Sequence, residues 1–283
     1  MTTVFSEVAE RCARVVGPCD VVADLSWPHG EATVLALRGA DGREWIAKTI
    51  RQERNYVRER DAYLSWASPL NGYVPELIHH DDELRLLLLS RLPGELLFGH
   101  PDELSPDVHF QAGALTRRLH EVAPPEADPE FGARLLRKFE DVVSRADGLV
   151  PAEGVAFTGR ALRELVALPP PEVVPCHRDN QPRNWLIDDV GVVRFIDLGR
   201  VERDVWMADL YRLHFDEWVT RPDLREAFLA GYGRRPSAAD LALFRTYNAY
   251  SAVSTIVWAH EHEDPAFEAH GRMMLAKVLD GPA

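Results

Sequence analysis

The period of the apolar residues changes at Pro93-Gly94, and that change limits the chain to folds with two different kinds of lobe. Upstream, the runs at 21–25 (Val-Val-Ala-Asp-Leu), 32–37 (Ala-Thr-Val-Leu-Ala-Leu) and 44–50 (Glu-Trp-Ile-Ala-Lys-Thr-Ile) read as strands. Asp41-Gly42 between the last two is a hairpin signal. A helix over 4–16 precedes them, with Val4, Val8, Cys12 and Val15 at helical spacing. A charged amphipathic helix over 51–67 follows, offering Val57, Tyr63, Leu64 and Trp66 for packing, and then strands over 76–80 and 84–89. Downstream the spacing is helical. Ser105-Pro106 supplies a cap and a first-turn proline for a helix carrying Val108, Ala112, Leu115, Leu119 and Val122. Further helical patterns span 129–146 and 155–168, where three prolines stop the run; short strands and loops occupy 173–200, and 237–262 is a long helix. The pattern predicts an α+β chain: a small mixed lobe over 1–92, joined by a short connector to a larger, mainly helical lobe over 93–283.

Bulk composition narrows the partners. With 46% hydrophobic and 27% charged residues the 283-residue chain is ordinary for a globular protein. No apolar run approaches the roughly 20 residues of a membrane span, and the start lacks the basic and apolar regions of an export signal. Cys12, Cys19 and Cys176 have neither zinc spacing nor an even count, which fits a reduced cytoplasm. A Cys176–His177 nucleophile pair is disfavoured, because adjacent strand residues point to opposite faces. The net charge of −13 disfavours nucleic acid as a partner. It suits a small cation, although an acidic surface also serves solubility alone. A nucleotide-binding protein with this charge must concentrate its positive groups at the site.

Asp179, Asn184 and Asp197 lie in His177-Arg178-Asp179…Asn184 and Phe195-Ile196-Asp197, between apolar runs. Each alone would pass for a turn former or cap. Together they match what phosphoryl transfer requires: a carboxylate for the proton of an attacking hydroxyl, and two oxygen ligands for magnesium on the phosphates. Lys48 ends a predicted strand, and Glu59 follows on the next helix; such a pair can grip the α and β phosphates, or it can be part of a surface ion-pair patch with Arg58 and Arg60. The connector Ser90-Arg91-Leu92-Pro93-Gly94 can offer backbone groups at Ser90 and Leu92 to a purine base. The segment 23–34 would be the turn covering the phosphates; it contains Ser26 but no Gly-x-Gly-x-x-Gly. Asp216, Glu217, Glu261, Glu263 and Asp264, with Trp218 and Trp258 close to them in sequence, are candidates to bind an amine-rich or quaternary-ammonium acceptor, or else are solvated helix ends.

Taken in order, these residues resemble the aminoglycoside phosphotransferase and choline-kinase-like group, a branch of the protein-kinase-like fold. The resemblance rests on Ile46-Ala47-Lys48, the Glu59 segment, Leu92-Pro93-Gly94, Leu115…Leu119-His120, His177-x-Asp179…Asn184, Ile196-Asp197 and Asp209-Leu210. It implies a bilobal fold with a small antiparallel-sheet lobe containing one helix. It also implies Asp179 as base, Asn184 and Asp197 as magnesium ligands, Lys48 with Glu59 as phosphate anchors, and His177 and Asp209 as supports of the catalytic loop. Two departures are Arg178, where many relatives have glycine, and the absence of the usual small residues around Ser26. The expected activity is transfer of the γ-phosphate of ATP, with GTP as the alternative nucleotide, to a hydroxyl of a small cationic antibiotic. An aminoglycoside or a basic cyclic peptide such as capreomycin or viomycin would be the acceptor, and resistance the outcome. The alternatives are a metabolic kinase for choline, an amino sugar or homoserine, and a catalytically inactive binding module. Neither nucleic acid nor a membrane is expected as a partner, and the chain would act as monomer or dimer.

Overall fold

A computed structural model describes residues 2–27 and 30–281. The helices in chain order are α1 Thr2–Val16, α2 Glu53–Ala62, α3 Pro106–His120, α4 Phe131–Arg145, α5 Ala152–Val166, α6 Tyr211–Phe215, α7 Glu217–Thr220, α8 Pro222–Tyr232, α9 Ala238–Glu261 and α10 Pro265–Asp280. The strands used below are β1 Cys19–Asp24, β2 Ala32–Gly39, β3 Glu44–Ile50, β4 Leu77–Asp81, β5 Leu86–Ser90, β6 Glu95–Leu96, β7 Glu126–Ala127, β8 Glu172–Cys176, β9 Trp185–Ile187 and β10 Val193–Phe195.

The chain separates into two compact units of three segments each. Unit 1 is Met1–Ala123, Pro175–Arg203 and Thr220–Gly233; unit 2 is Pro124–Val174, Asp204–Val219 and Arg234–Ala283. This division differs from a cut between residues 92 and 93 because β6 pairs with β9 (Glu95 opposite Ile187, Leu96 opposite Leu186), which ties the connector to the middle of the chain. Gly94 makes that approach possible. It sits at φ +113°, and a Cβ there would lie 2.5 Å from the Ile187 carbonyl oxygen.

In unit 1 the antiparallel sheet runs β1-β2-β3-β5-β4. Val8 and Cys12 of α1 pack with Leu35, Leu37, Trp45, Ala47, Leu86 and Leu88 on one face. Strand alternation then sends Ile46 and Lys48 to the opposite face, where Lys48 lies across from Val34 on one neighbour and Leu87 on the other. The helix expected over 51–67 is α2 followed by a wider π turn at Tyr63–Ala67 and a 3₁₀ turn at Ser68–Leu70. Pro69 carries no N–H and cannot continue an α-helix. Leu64 is exposed rather than packed, and Tyr56 is buried in its stead. Ser105 does precede α3, but its side chain makes no capping bond; its backbone carbonyl accepts from His109 N at 3.1 Å.

Helices α3 and α8 cross with their backbones nearly touching. A Cβ on Gly113 would fall 2.0 Å from the Phe228 carbonyl oxygen, and one on Gly231 would fall 1.9 Å from that of Phe110. On the same helix His109 is fully buried, edge-on to Trp185 at 5.4 Å, and its Nε2–H donates to the Glu103 carbonyl at 3.2 Å. Burial drives its pKa down from 6.5 to about 4. The unfolded chain therefore binds more protons than the folded one between those values. Stability is full above pH 6.5 and falls as pH drops toward 4, by on the order of 3 kcal/mol from this group. Denaturation at pH 7 and pH 4.5 should show a smaller pH penalty for His109→Phe than for the wild type; equal penalties would refute the assignment.

The core of unit 2 is helical. Phe131, Leu135, Phe139 and Val142 of α4, Leu162 and Leu165 of α5, Ala252, Val253, Ile256 and Val257 of α9, and Met274, Leu275 and Val278 of α10 form one buried cluster. Ser237 and Asp240 close a capping box at the start of α9. A two-residue pairing of β7 with β8, Glu126 opposite Val173 and Ala127 opposite Glu172, borders the helices. Among the described residues no helix is long and apolar enough to cross a membrane.

Candidate active site

The residues singled out by spacing form two linked groups within unit 1. The first centres on Lys48. Its Nζ donates to Glu59 Oε1 at 2.8 Å and to Asp197 Oδ1 at 2.9 Å, across 11 and 149 residues of sequence. α2 delivers Glu59, which is only 2% exposed, and so the pair is no surface patch. Arg58 points elsewhere, its Nε donating to the Gly199 carbonyl at 2.6 Å. Burial works against the charge on Lys48, yet Asp197 and Glu59 outweigh it and hold the ammonium charged well above its usual range. Burial likewise opposes ionisation of Asp197, and Lys48 overcomes it, keeping that carboxyl well below the ordinary carboxylate range. For Glu59 burial wins over the pull of Lys48, pushing its pKa up to about 7.

The second group is the loop after β8. Arg178 takes a left-handed φ of +62°, a conformation that favours glycine. Its guanidinium pairs with Glu202. Asp179 Oδ2 accepts from Asn184 Nδ2 at 2.9 Å and from Arg183 Nη2 at 2.9 Å, while Oδ1 accepts from Gln181 Nε2 at 2.6 Å. Pro182–Asn184 form a single 3₁₀ turn, which brings Asn184 back over the Asp179 backbone. The Asn184 carbonyl in turn accepts from Ile196 N at 2.9 Å, so Asp197 follows directly beside it. The loop is anchored from beneath. Asn180 donates to Thr116 Oγ1 at 2.9 Å and accepts from Trp185 Nε1 at 2.8 Å, and Thr116 donates to the Ala112 carbonyl at 2.8 Å. His177 is buried, its Nε2–H donating to the Ile196 carbonyl at 3.1 Å.

The residues present fit a hard divalent cation. With its nitrogen on Asp179, Asn184 has its side-chain oxygen left to coordinate. Asp197 adds carboxylate oxygens at a left-handed φ of +61°. An oxygen-only set of this kind suits magnesium.

Other predicted residues have local partners. Ser26 closes the β1–β2 connection, its Oγ accepting from Val34 N at 2.9 Å. Pro28 and His29 of the same turn lie outside the described residues. Ser90 N donates to the Glu76 carbonyl at 2.9 Å and Ser90 Oγ accepts from Glu76 N at 2.8 Å, while Leu92 is half-buried. In unit 2, Glu261 pairs with Arg145, Asp264 caps α10 by accepting from Phe267 N at 2.9 Å, and Asp216 lies 3.7 Å from His270. Glu217 opens α7, and Glu263 follows α9 at φ +55°. Trp258 is 45% exposed and stacks on His262 at 4.0 Å with Phe267 edge-on, so its ring neighbours are aromatic. Asp209 is buried in the 3₁₀ turn Trp206–Asp209. Sequence reasoning missed Gln181 and Arg183. The i, i+4 spacing of Asp179 and Arg183 was the available signal for the latter.

A five-stranded antiparallel sheet bearing Lys48, one helix bearing Glu59, a paired Asp–Asn loop and a larger helical lobe make up the protein-kinase-like fold. The structure is similar to a thermostable mutant of aminoglycoside phosphotransferase APH(4)-Ia in ternary complex with ADP and hygromycin B: TM-score 0.74, 15% identity, 97% of this chain and 98% of that one. It is also similar to a choline/ethanolamine kinase family protein from Mesorhizobium loti (TM-score 0.68, 19% identity, 99% and 93% covered). A third likeness is to macrolide 2'-phosphotransferase MphH from Brachybacterium faecium (TM-score 0.63, 15% identity, 96% and 97% covered). No curated protein matches the chain in sequence. The profile of the phosphotransferase enzyme family matches residues 29–245, and the chain belongs to that family. It is a phosphotransferase with a hydroxyl group as acceptor.

Proposed function

We propose that the protein transfers the γ-phosphate of ATP to a hydroxyl of a small cationic antibiotic, in the cytoplasm, where it confers resistance. The observation that carries the phosphoryl-transfer assignment is the pair of linked groups, Lys48–Glu59–Asp197 and Asp179–Asn184, with Asn184 and Asp197 joined through one backbone hydrogen bond. In this reading residues 1–92 form the nucleotide-binding lobe and 93–283 the catalytic and acceptor-binding lobe. Lys48, fixed by Glu59, binds the α and β phosphates; the Ser90 carbonyl and Leu92 amide meet the base, and Ser26 lies by the phosphates. Asn184 and Asp197 would hold magnesium, which supplies positive charge to the phosphate oxygens when bound. Asp179 receives the acceptor proton as the acceptor oxygen bonds to phosphorus and the bond from phosphorus to the bridging oxygen of ADP breaks. Asn184 holds the Asp179 carboxylate in place for that transfer.

The acceptor class is supported by the net charge of −13 and by the acidic residues Asp216, Glu217, Glu261, Glu263 and Asp264, the last three close in sequence to Trp258. Arg145 and the α10 cap compete for two of those carboxylates. Similar proteins solved with hygromycin B and with gentamicin favour the same class. The likeness to a choline/ethanolamine kinase family protein and the exposed Trp258 ring favour, as a second reading, a kinase for a quaternary-ammonium alcohol. A γ-phosphate transfer assay over aminoglycosides, capreomycin, viomycin and choline separates the two. Transfer to an antibiotic supports the first, transfer to choline the second, and ATP binding without any transfer would leave an inactive binding module.

A further inference from the structure

Helix α2 meets the small sheet at Lys48 and again at a turn that the proposed chemistry does not use. In the turn between β4 and β5, Asp82 Oδ1 accepts from the Tyr56 hydroxyl at 2.6 Å and from Arg60 Nη1 at 3.0 Å, and His80 Nδ1 lies 3.2 Å from the same oxygen. Tyr56 and Arg60 are an i, i+4 pair on α2, and Glu59 lies within the turn they bracket. The Arg60 guanidinium also sits over the Tyr56 ring, 5.6 Å from its centroid. Tyr56 is buried; burial, with Asp82 beside it, raises its pKa, so the hydroxyl stays protonated and donates.

These contacts close a ring. Lys48 on β3 lies opposite Leu87 on β5, Leu87 lies opposite His80 on β4, and Asp82 follows two residues after His80. From Asp82 the ring returns through α2 to Glu59 and so to Lys48. A helix anchored at one point can turn about it. A slip of one residue would swing Glu59 by about 100° and shift it about 1.5 Å along the axis, taking the carboxylate off Lys48. The exposed pair of Arg60 with Asp82 contributes little stability as an ion pair. Two donors from one helical turn on one oxygen, however, fix the rotation of the helix.

We infer that Asp82 is a positioning residue for phosphoryl transfer: through Tyr56 and Arg60 it sets the rotation of α2 and so holds Glu59 on Lys48. This rests on the reading that Lys48 binds the nucleotide phosphates. The adjacent Asp81 serves the other helix, accepting from Arg11 of α1 at 2.6 Å, and provides a control on the same turn.

Calorimetry with ADP–Mg tests the inference without knowledge of the acceptor. Asp82→Ala should weaken binding by about tenfold, and Tyr56→Phe, which keeps the buried ring and loses only the hydroxyl, by about threefold or more. Arg11→Ala removes an ion pair from the same turn and should leave the affinity within about twofold. A double-mutant cycle separates positioning from general loosening of the lobe. In a Glu59→Gln background, Asp82→Ala should cost less than about twofold further, because it acts through Glu59. Unchanged affinity in Asp82→Ala would overturn the inference. So would an Asp82→Ala loss as large in Glu59→Gln as in the wild type, or an equal loss in Arg11→Ala. A wild type that does not bind ADP–Mg would instead overturn the nucleotide-binding reading, and this inference with it.

Discussion

Asp179→Asn is expected to lower turnover by roughly 10²–10⁴-fold, the range for a lost general base, while ADP–Mg affinity changes by less than about twofold. The substitution preserves shape but reverses one atom. An amide presents a single acceptor oxygen, whereas the carboxylate accepts from Asn184, Arg183 and Gln181 on two. Whichever way the new amide turns, its nitrogen faces at least one donor, so alignment suffers along with proton acceptance. The nucleotide side is untouched, because Lys48 bonds to Glu59 and Asp197 and not to Asp179. Steady-state kinetics with the best acceptor from the panel, alongside calorimetry, checks both halves. Turnover within threefold of the wild type would remove Asp179 from the role of base.

The second large effect is on stability. Gly231→Ala or Gly113→Ala should each destabilise unit 1 by about 3 kcal/mol, the upper end for overpacking, despite the better helix propensity of alanine. The atoms in the way are backbone carbonyl oxygens of the facing helix, 1.9 and 2.0 Å from the new methyl, and neither can move without separating α3 from α8. Gly154→Ala is the control. Its methyl would meet Leu275 Cδ2 at 2.7 Å, the end of a side chain that can rotate, and its cost should stay within about 1 kcal/mol. Urea unfolding midpoints compare the three; equal shifts at Gly231 and Gly154 would contradict the close backbone crossing.

Much of this site was legible in the sequence, for a physical reason. Lys48 and Glu59 lie on regular elements, where strand alternation and helical spacing dictate direction, and the hinge and hairpin turns carry glycine and proline at fixed places. Asp179, Asn184 and Asp197 were found through a spacing that few other chemistries need. Gln181 and Arg183 escaped because their directions depend on an irregular loop: Arg178 at φ +62° and one 3₁₀ turn decide where they point, and periodicity says nothing about either. The surroundings of the acidic group near Trp258 depend on long-range contacts that closeness in sequence does not show: Glu261 finds Arg145 across 116 residues, and Trp258 stacks on His262. Similarly, the break at Pro93-Gly94 marks a change of periodicity, whereas the compact units follow long-range pairing such as that of β6 with β9.

The interleaving of those units has a consequence for how the chain comes into being. Helix α3 finds its partner α8 only after a long stretch of chain has intervened, with His120 and Tyr232 separated by 112 residues and bonded at 2.8 Å. A ribosome making about 5–20 residues per second leaves that apolar helix face uncovered for several seconds. The five-stranded sheet can close early from neighbouring segments, but the lysine it carries waits 149 residues for Asp197. Late closure of this kind keeps apolar surface uncovered during synthesis, and the interleaving means no single cut divides the polypeptide into two halves that each contain a whole unit.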